Sequence, residues 1–314
     1  MSDEIHRTDH NPLGIVKSNL FGSQYDSSAL KDQYLSSRSA EERRIGVEVQ
    51  NSIVELSLII PAFNESSRLP PFLQSVLDHM SSLSLEGFEV IVVDDGSTDS
   101  TANYVSTLAE TWPQLSLIRH DRNQGKGAAV RTGVLAARGR FILFADADGA
   151  TPIEDEMKLR KAIETGADIA VGSRLIADNL HAIRRNRLRS IGGRLYAFLL
   201  HRFLRVSVQD TQCGFKMFRK DVGERLFRLC DTDGFLFDAH LIAIAEALQF
   251  RIVEVPVRWT EIPGSKFRLF RDTWRMIAGL FASRTIVKRA VEIDRLDSHS
   301  SESYHRRSVD DRKS

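Results

Sequence analysis

From Glu55 onward the apolar positions come in short blocks. LSLIIPAFN, FEVIVVDD, LSLIRH, RFILFADAD and DIAVGSR are β-branched or aromatic runs of strand length, separated by helix-like segments of roughly ten to twenty residues. In EVIVVDD four consecutive β-branched residues, Val90 to Val93, predict a strand buried on both faces, which is what a parallel sheet requires. The alternation of strands and helices predicts an α/β chain: a doubly wound, mostly parallel sheet with helices on both faces. Pro61 is expected to end the first strand because it cannot donate to the ladder. Farther on, the pattern predicts a basic amphipathic stretch over 181–206 and an irregular segment over 207–238. A helix over about 239–249, a strand RIVEVPV (251–257) and a second basic amphipathic helix over about 272–289 follow.

The two ends read differently. Residues 1–52 are rich in Ser, Asp, Arg and Gln and cannot bury enough apolar surface to offset their ordering entropy, so a largely disordered arm is expected. The main domain is placed at 53–260, with 181–206 as an amphipathic segment within it. A C-terminal basic helix is placed in 261–291 and a loose polar tail at 292–314. The chain of 314 residues is 42% apolar, enough for a substantial core, and 43 basic against 42 acidic residues give no global field that would favour nucleic acid. Cys213 and Cys230 lie in no metal or redox spacing and are expected to be reduced core thiols in a cytoplasmic protein. The start, MSDEIHRTDHNPLG, lacks the basic-then-apolar order of a signal peptide, and no apolar run has membrane-spanning length.

Polar chemistry gathers at the ends of the predicted strands, the edge where open α/β sheets bind ligands. In IIPAFNESSRLP, Asn64 or Ser66 can cap the next helix. In VVDDGSTDS a single acid would be an ordinary cap, whereas Asp94 next to Asp95 suits acceptors for hydroxyl or imide N–H groups. In RNQGKGAAVRTG, Gly125 and Gly127 flank Lys126 at a helix start, and this is compatible equally with tight helix packing and with anion binding. RFILFADADGATP places Asp146 and Asp148 one residue apart directly after a strand. Two carboxylates there suit a hard divalent cation that neutralises a diphosphate.

Those four segments together resemble a family 2 glycosyltransferase of the GT-A fold, over roughly residues 55 to 270. DTQCGFKMF (Asp210 to Phe218) and WTEIPGSKF (Trp259 to Phe267) look like the dolichyl-phosphate β-glucosyltransferase branch, close to the polyprenyl-phosphate mannosyl- and glucosyltransferases. One departure is FDAHL, where His240 stands at a position usually acidic in that family. The resemblance implies a UDP-sugar donor site formed by Pro61, Phe63, Glu65, Asp94, Asp95, Lys126, Asp146, Ala147, Asp148 and Lys266. Within it Asp95 would meet the uracil and Glu65 the ribose, and Asp148 would hold Mg2+ or Mn2+. Asp146, Asp148 and Arg174 would be the catalytic group, with Arg174 and Lys266 adding positive charge near the phosphates. The implied reaction is inverting transfer of glucose from UDP-glucose to a polyprenyl phosphate such as dolichyl phosphate.

The stretch HAIRRNRLRSIGGRLYAFLLHRFLRV interleaves seven arginines and no acid with Leu, Ile and Phe. That mixture suits an anionic bilayer surface, whereas nucleic-acid binding would call for stacking aromatics in place of Leu and Ile. A peripheral position at the cytosolic face of a membrane is therefore expected, with Arg184, Arg185, Arg187 and Arg189 receiving the acceptor phosphate. Alternatives are a polyprenyl-phosphate mannosyltransferase or other nucleotide-sugar transferase, and a non-catalytic membrane-docking protein. A sugar-1-phosphate nucleotidyltransferase would carry its Gly/Lys loop after the first strand, and here it follows the third. The oligomeric state is open, a homo-oligomer included.

Overall fold

The structure is a computed structural model that describes residues 54–83, 87–176, 204, 206–262 and 283–296. The apolar blocks become β1 (Leu56–Ala62), β2 (Phe88–Asp94), β3 (Leu115–Arg119), β4 (Phe141–Ala145) and β5 (Ile169–Ser173), and RIVEVPV supplies β7 (Ile252–Pro256). The central strands have no wet face: all of β1 and β4 is buried, as the unbroken apolar runs predict. Each such Ile or Val withdrawn from water contributes about 2 kcal/mol before entropy is counted. Strand β1 passes through Pro61 to Ala62, so the proline sits inside the last pair of the ladder and does not end it.

Helices cover both faces of the sheet. Helix α1 (Leu69–Ser82) starts with prolines in its first turn, where their missing N–H costs nothing, and buries Leu69, Phe72, Leu73, Val76 and Met80 at helical spacing. With α2 (Thr101–Ala109) and α4 (Glu156–Glu164), it covers the face carrying Leu58, Ile60, Val92 and Leu143. The opposite face, with Ile59, Val93, Ile142 and Phe144, takes α3 (Lys126–Ala136), α5 (Lys220–Leu229) and α6 (Phe237–Ala247). A last helical stretch, α7 over 283–296, joins this second layer through Ala290 and Val287, and Asp294 forms a two-point pair with Arg225 at 2.6 and 2.7 Å. Helix therefore continues past 291, where the polar tail was expected to begin.

The strand order is β3-β2-β1-β4-β6-β5-β7. Expectation and structure part at β6 (Phe215–Arg219), inside the segment read as irregular, which also contains α5 and the start of α6. Strand β6 runs antiparallel to both β4 and β5, so the sheet is mixed and mostly parallel. Its signal is masked because its second residue, Lys216, of a type ordinarily depleted from buried strands, is fully enclosed. The order reverses between β1 and β4. The register sets Ala62 beside Asp94 and Ile59 beside Phe144, so the ends of β1, β2 and β4 open on one edge at the topological switch point. Among the described residues no helix is long and apolar enough to cross a membrane. Lys266, Arg184, Arg185, Arg187 and Arg189 lie outside the described residues, as do the arm, most of 181–206 and the tail beyond 296.

Candidate active site

Two loops zip together at the end of the sheet. Asn64, held at a positive φ of 53°, does not cap α1; its side-chain oxygen accepts from the Thr98 and Asp99 amides at 2.8 and 3.3 Å. In return Ser97 Oγ, Thr101 Oγ1 and Asp99 Oδ2 accept from the amides of Asn64, Glu65 and Ser66. Helix α1 begins after Arg68 with no side-chain cap, and Ser66 takes no capping role. Burial would raise the Asp99 carboxyl, but hydrogen bonds donated by Thr101 and Ser66 outweigh it and hold it down at about 2.

The adjacent acids of β2 face inward. Asp94 is fully buried; its Oδ1 accepts from Ser97 N at 3.2 Å, and its Oδ2 lies 3.1 Å from Arg119 Nε as an ion pair whose angle does not make a hydrogen bond. Asp95 receives three donors: His120 Nδ1 at 2.8 Å, Gln124 N at 2.9 Å and Gly125 N at 2.8 Å. It thus fixes the loop that leads into α3. A carboxylate offers about four acceptor positions, so one remains for an additional N–H.

The Gly125–Lys126–Gly127 start of α3 is decided for packing. A Cβ on Gly127 would meet Thr232 O at 2.2 Å, and one on Gly125, itself at φ 110°, would meet Asp233 O at 2.4 Å. The Gly127 and Ala128 amides donate to Asp233 O at 2.7 and 3.4 Å. Lys126 instead reaches across to the next strand end, where its Nζ is 2.7 Å from Asp146 Oδ1 and 4.0 Å from Asp238 Oδ2. Burial would lower this ammonium, but Asp146 and Asp238 overcome it and hold it above its ordinary range.

Asp146 and Asp148 line a cleft of about 180 Å³ together with Arg174, Cys213, Gly214 and Trp259. Asp146 is fixed from beside: its amide donates to Gly214 O at 2.9 Å, and a Cβ on Gly214 would collide with its carboxylate at 2.0 Å, so only glycine lets β6 begin there. Asp148 Oδ1 accepts from Ala150 N at 3.1 Å, and Oδ2 faces Arg68 at 3.5 Å. Arg68 is itself clasped by Glu65 through Nε at 2.7 Å and Nη2 at 2.5 Å. Burial, then the neighbouring charge of Asp146, pushes the Asp148 carboxyl above its usual range. Arg174 is bound at two points by Asp210, at 2.8 and 2.7 Å, with its guanidinium 5.7 Å from the Trp259 ring centre. Burial opposes both charges, but the pair's hydrogen bonds prevail, raising Arg174 and lowering Asp210. Cys213 and Cys230 are buried and unpaired with each other, and burial pushes the Cys213 thiol up to about 12.

Of the residues picked from the sequence, the cleft gathers Asp146, Asp148 and Arg174. Lys126 and Glu65 contact its carboxylates directly or through Arg68, while Asp94 and Asp95 stand behind it, with Pro61 and Ala147 buried. Arg68, Asp210, Lys216 and Asp238 were missed. The last two carried a signal: a lysine inside GFKMF and an aspartate inside FDAHLIAIA are charges in otherwise apolar runs. His240, also in that helix, bonds Thr232 Oγ1 at 2.7 Å and Ser283 Oγ at 2.6 Å, and burial brings its imidazole down to about 4.

A sheet that reverses order at an edge bearing an Asp-x-Asp, with Lys126 and Arg174 beside it, belongs to the class of open α/β folds that bind ligands at the switch point. The family model for glycosyl transferase family 2 matches residues 57–227, and the chain belongs to this family. It is 41% identical to a dolichyl-phosphate beta-glucosyltransferase of Drosophila melanogaster over 73% of this chain and 74% of that one. The Dictyostelium discoideum protein of the same name is 34% identical over 85% and 83%. Among solved structures, glucosyl-3-phosphoglycerate synthase from Mycobacterium tuberculosis, in complex with Mn2+, UDP-glucose and phosphoglyceric acid, shares the fold with TM-score 0.51. That match is 18% identical and covers 86% and 85% of the two chains.

Proposed function

We propose that this chain transfers glucose from UDP-glucose to a dolichyl-type polyprenyl phosphate with inversion at the sugar carbon, at the cytosolic face of a membrane. The observation that carries this reading is the cleft in which Asp146, Asp148 and Arg174 converge at the switch point, in a chain whose relatives bear the name dolichyl-phosphate beta-glucosyltransferase across most of their length.

The donor set fits a divalent cation. Two carboxylates at alternate positions supply hard oxygen ligands, and a bound cation would relieve the burial and like-charge crowding that raise Asp148. Mg2+ or Mn2+ there, held by Asp148 with Asp146 beside it, would neutralise the UDP leaving group. Glu65, Phe63 and Pro61 would shape the nucleoside pocket, with the remaining acceptor position of Asp95 turned to an imide N–H. Arg174 places fixed positive charge at the cleft wall, where negative charge develops during transfer. An acceptor phosphate is already anionic near neutral pH, so attack needs no carboxylate base, and Asp146 serves to orient the donor. Arg184, Arg185, Arg187, Arg189 and Lys266 would bring the acceptor phosphate from an anionic bilayer to this edge.

The test is to incubate the full chain with Mn2+, radiolabelled UDP-glucose and dolichyl phosphate in vesicles, then extract the lipid. Label in the lipid phase that depends on dolichyl phosphate is the expected result. Label from GDP-mannose in place of UDP-glucose would replace the sugar assignment, and no label from any nucleotide sugar would sink the transferase reading.

A further inference from the structure

Behind Asp146 the charges alternate into the core. Lys216, fully enclosed on β6, donates to Asp238 Oδ1 at 2.5 Å and to Cys213 O at 2.6 Å. The other oxygen of Asp238 lies 4.0 Å from Lys126 Nζ, which in turn sits 2.7 Å from Asp146. Both ammoniums lie near the Phe144 ring, 5.4 Å (Lys126) and 5.2 Å (Lys216) from its centre, and Asp238 is an anion they share. Lys216 and Phe144 are direct cross-strand partners in the register, which fixes the arrangement to the sheet itself. A buried pair of this kind is a poor source of stability compared with apolar packing. Its placement one step behind a cleft carboxylate asks for another role.

We infer that Asp238, held by Lys216, is a positioning residue that divides the charge of Lys126 with Asp146 and so sets how much of the Asp146 carboxylate faces a bound cation and diphosphate. This rests on the donor-site reading above. The sign of the effect follows from the competition. Without the Asp238 charge, Lys126 pairs with Asp146 alone and masks it. Without the Lys216 charge, Asp238 turns to Lys126 and uncovers Asp146.

Two measurements on the full chain test this. The first needs no ligand: urea midpoints of Lys126→Met, Asp238→Asn and the double variant form a cycle, and contact through the relay makes their losses non-additive. The second is calorimetric UDP binding as a function of Mn2+. Asp238→Asn should raise the Mn2+ concentration for half-maximal UDP binding by roughly fivefold, as one partly buried charge contact would, and Lys216→Met should lower it. Because either single change strands a buried charge, Lys216→Met/Asp238→Asn removes both; it should fold and shift the midpoint upward like Asp238→Asn. In a Lys126→Met background the Asp238→Asn shift should vanish. Additive urea midpoints, or equal shifts from Asp238→Asn with and without Lys126, overturn the relay. If the parent binds no UDP at any Mn2+ level, the donor-site reading falls, and the urea cycle still decides whether Asp238 positions Lys126.

Discussion

Two strand ends carry acidic pairs that look alike in the sequence, Asp94–Asp95 after β2 and Asp146–Asp148 after β4, and the fold treats them in opposite ways. Asp94 and Asp95 are buried and spend their oxygens on Ser97, His120, Gln124 and Gly125. The Asp146 and Asp148 side chains remain 38% and 25% exposed and meet the long cations Lys126 and Arg68. Adjacent acids point to opposite sides of the chain, so one can be buried only if the other finds donors too. Asp146 and Asp148 lie in the turn that follows β4, and both line the cleft. The two pairs therefore differ in burial: the first holds its loops and keeps one Asp95 acceptor position, and the second opens on the cleft.

The sharpest way to break this contrast is Asp148→Asn or Asp146→Asn. If the proposed reaction is right, either lowers turnover by about a hundredfold or more, as the loss of an electrostatic group at a reacting centre does. Thermal unfolding should stay within a few degrees of the parent, because neither carboxylate serves the core. A large drop in stability with intact turnover would reverse the assignment of the two pairs.

Asp95→Ala is the mirror experiment. It leaves two backbone amides and His120 without their acceptor, which should cost about 3 kcal/mol in urea unfolding. Stability unchanged in Asp95→Ala would mean the loop into α3 is held by something else.

Away from both edges, His240 gives a pH test of the layer that backs the relay. Its folded imidazole titrates near 4 against 6.5 for an ordinary histidine, so between these values the unfolded chain binds a proton that the folded chain does not. Stability should therefore fall as pH drops from 6.5 toward 4, by about 3 kcal/mol from this residue. His240→Gln should flatten that slope in urea titrations at pH 4 to 7; an unchanged slope assigns it to other groups.

The smallest effect is expected at the zipper. Asn64→Ala removes the acceptor for Thr98 and Asp99 and puts at φ 53° a residue that tolerates left-handed backbone less well than Asn, for a loss of about 1.5 kcal/mol. Asn64→Gly relieves the backbone and loses only the acceptor. A smaller loss in Gly than in Ala would separate conformational from hydrogen-bond cost.

Six strands, their parallel sense and the edge carrying the chemistry could be read from the sequence, since buried parallel strands need unbroken apolar runs and their ends then collect whatever is polar. Asp146, Asp148 and Arg174 stood out for the same reason. Strand β6 was hidden, because its buried lysine, Lys216, is paid for by an aspartate more than twenty residues later, and no local pattern reports a partner that distant. Only tertiary structure could assign Gly125 and Gly127 to contact with the 232–233 backbone. It alone could pair Arg174 with Asp210 and Arg68 with both Glu65 and Asp148. Periodicity records which side of an element is dry; which charge answers which is settled by distances between elements, and these exist only once the chain has closed on itself.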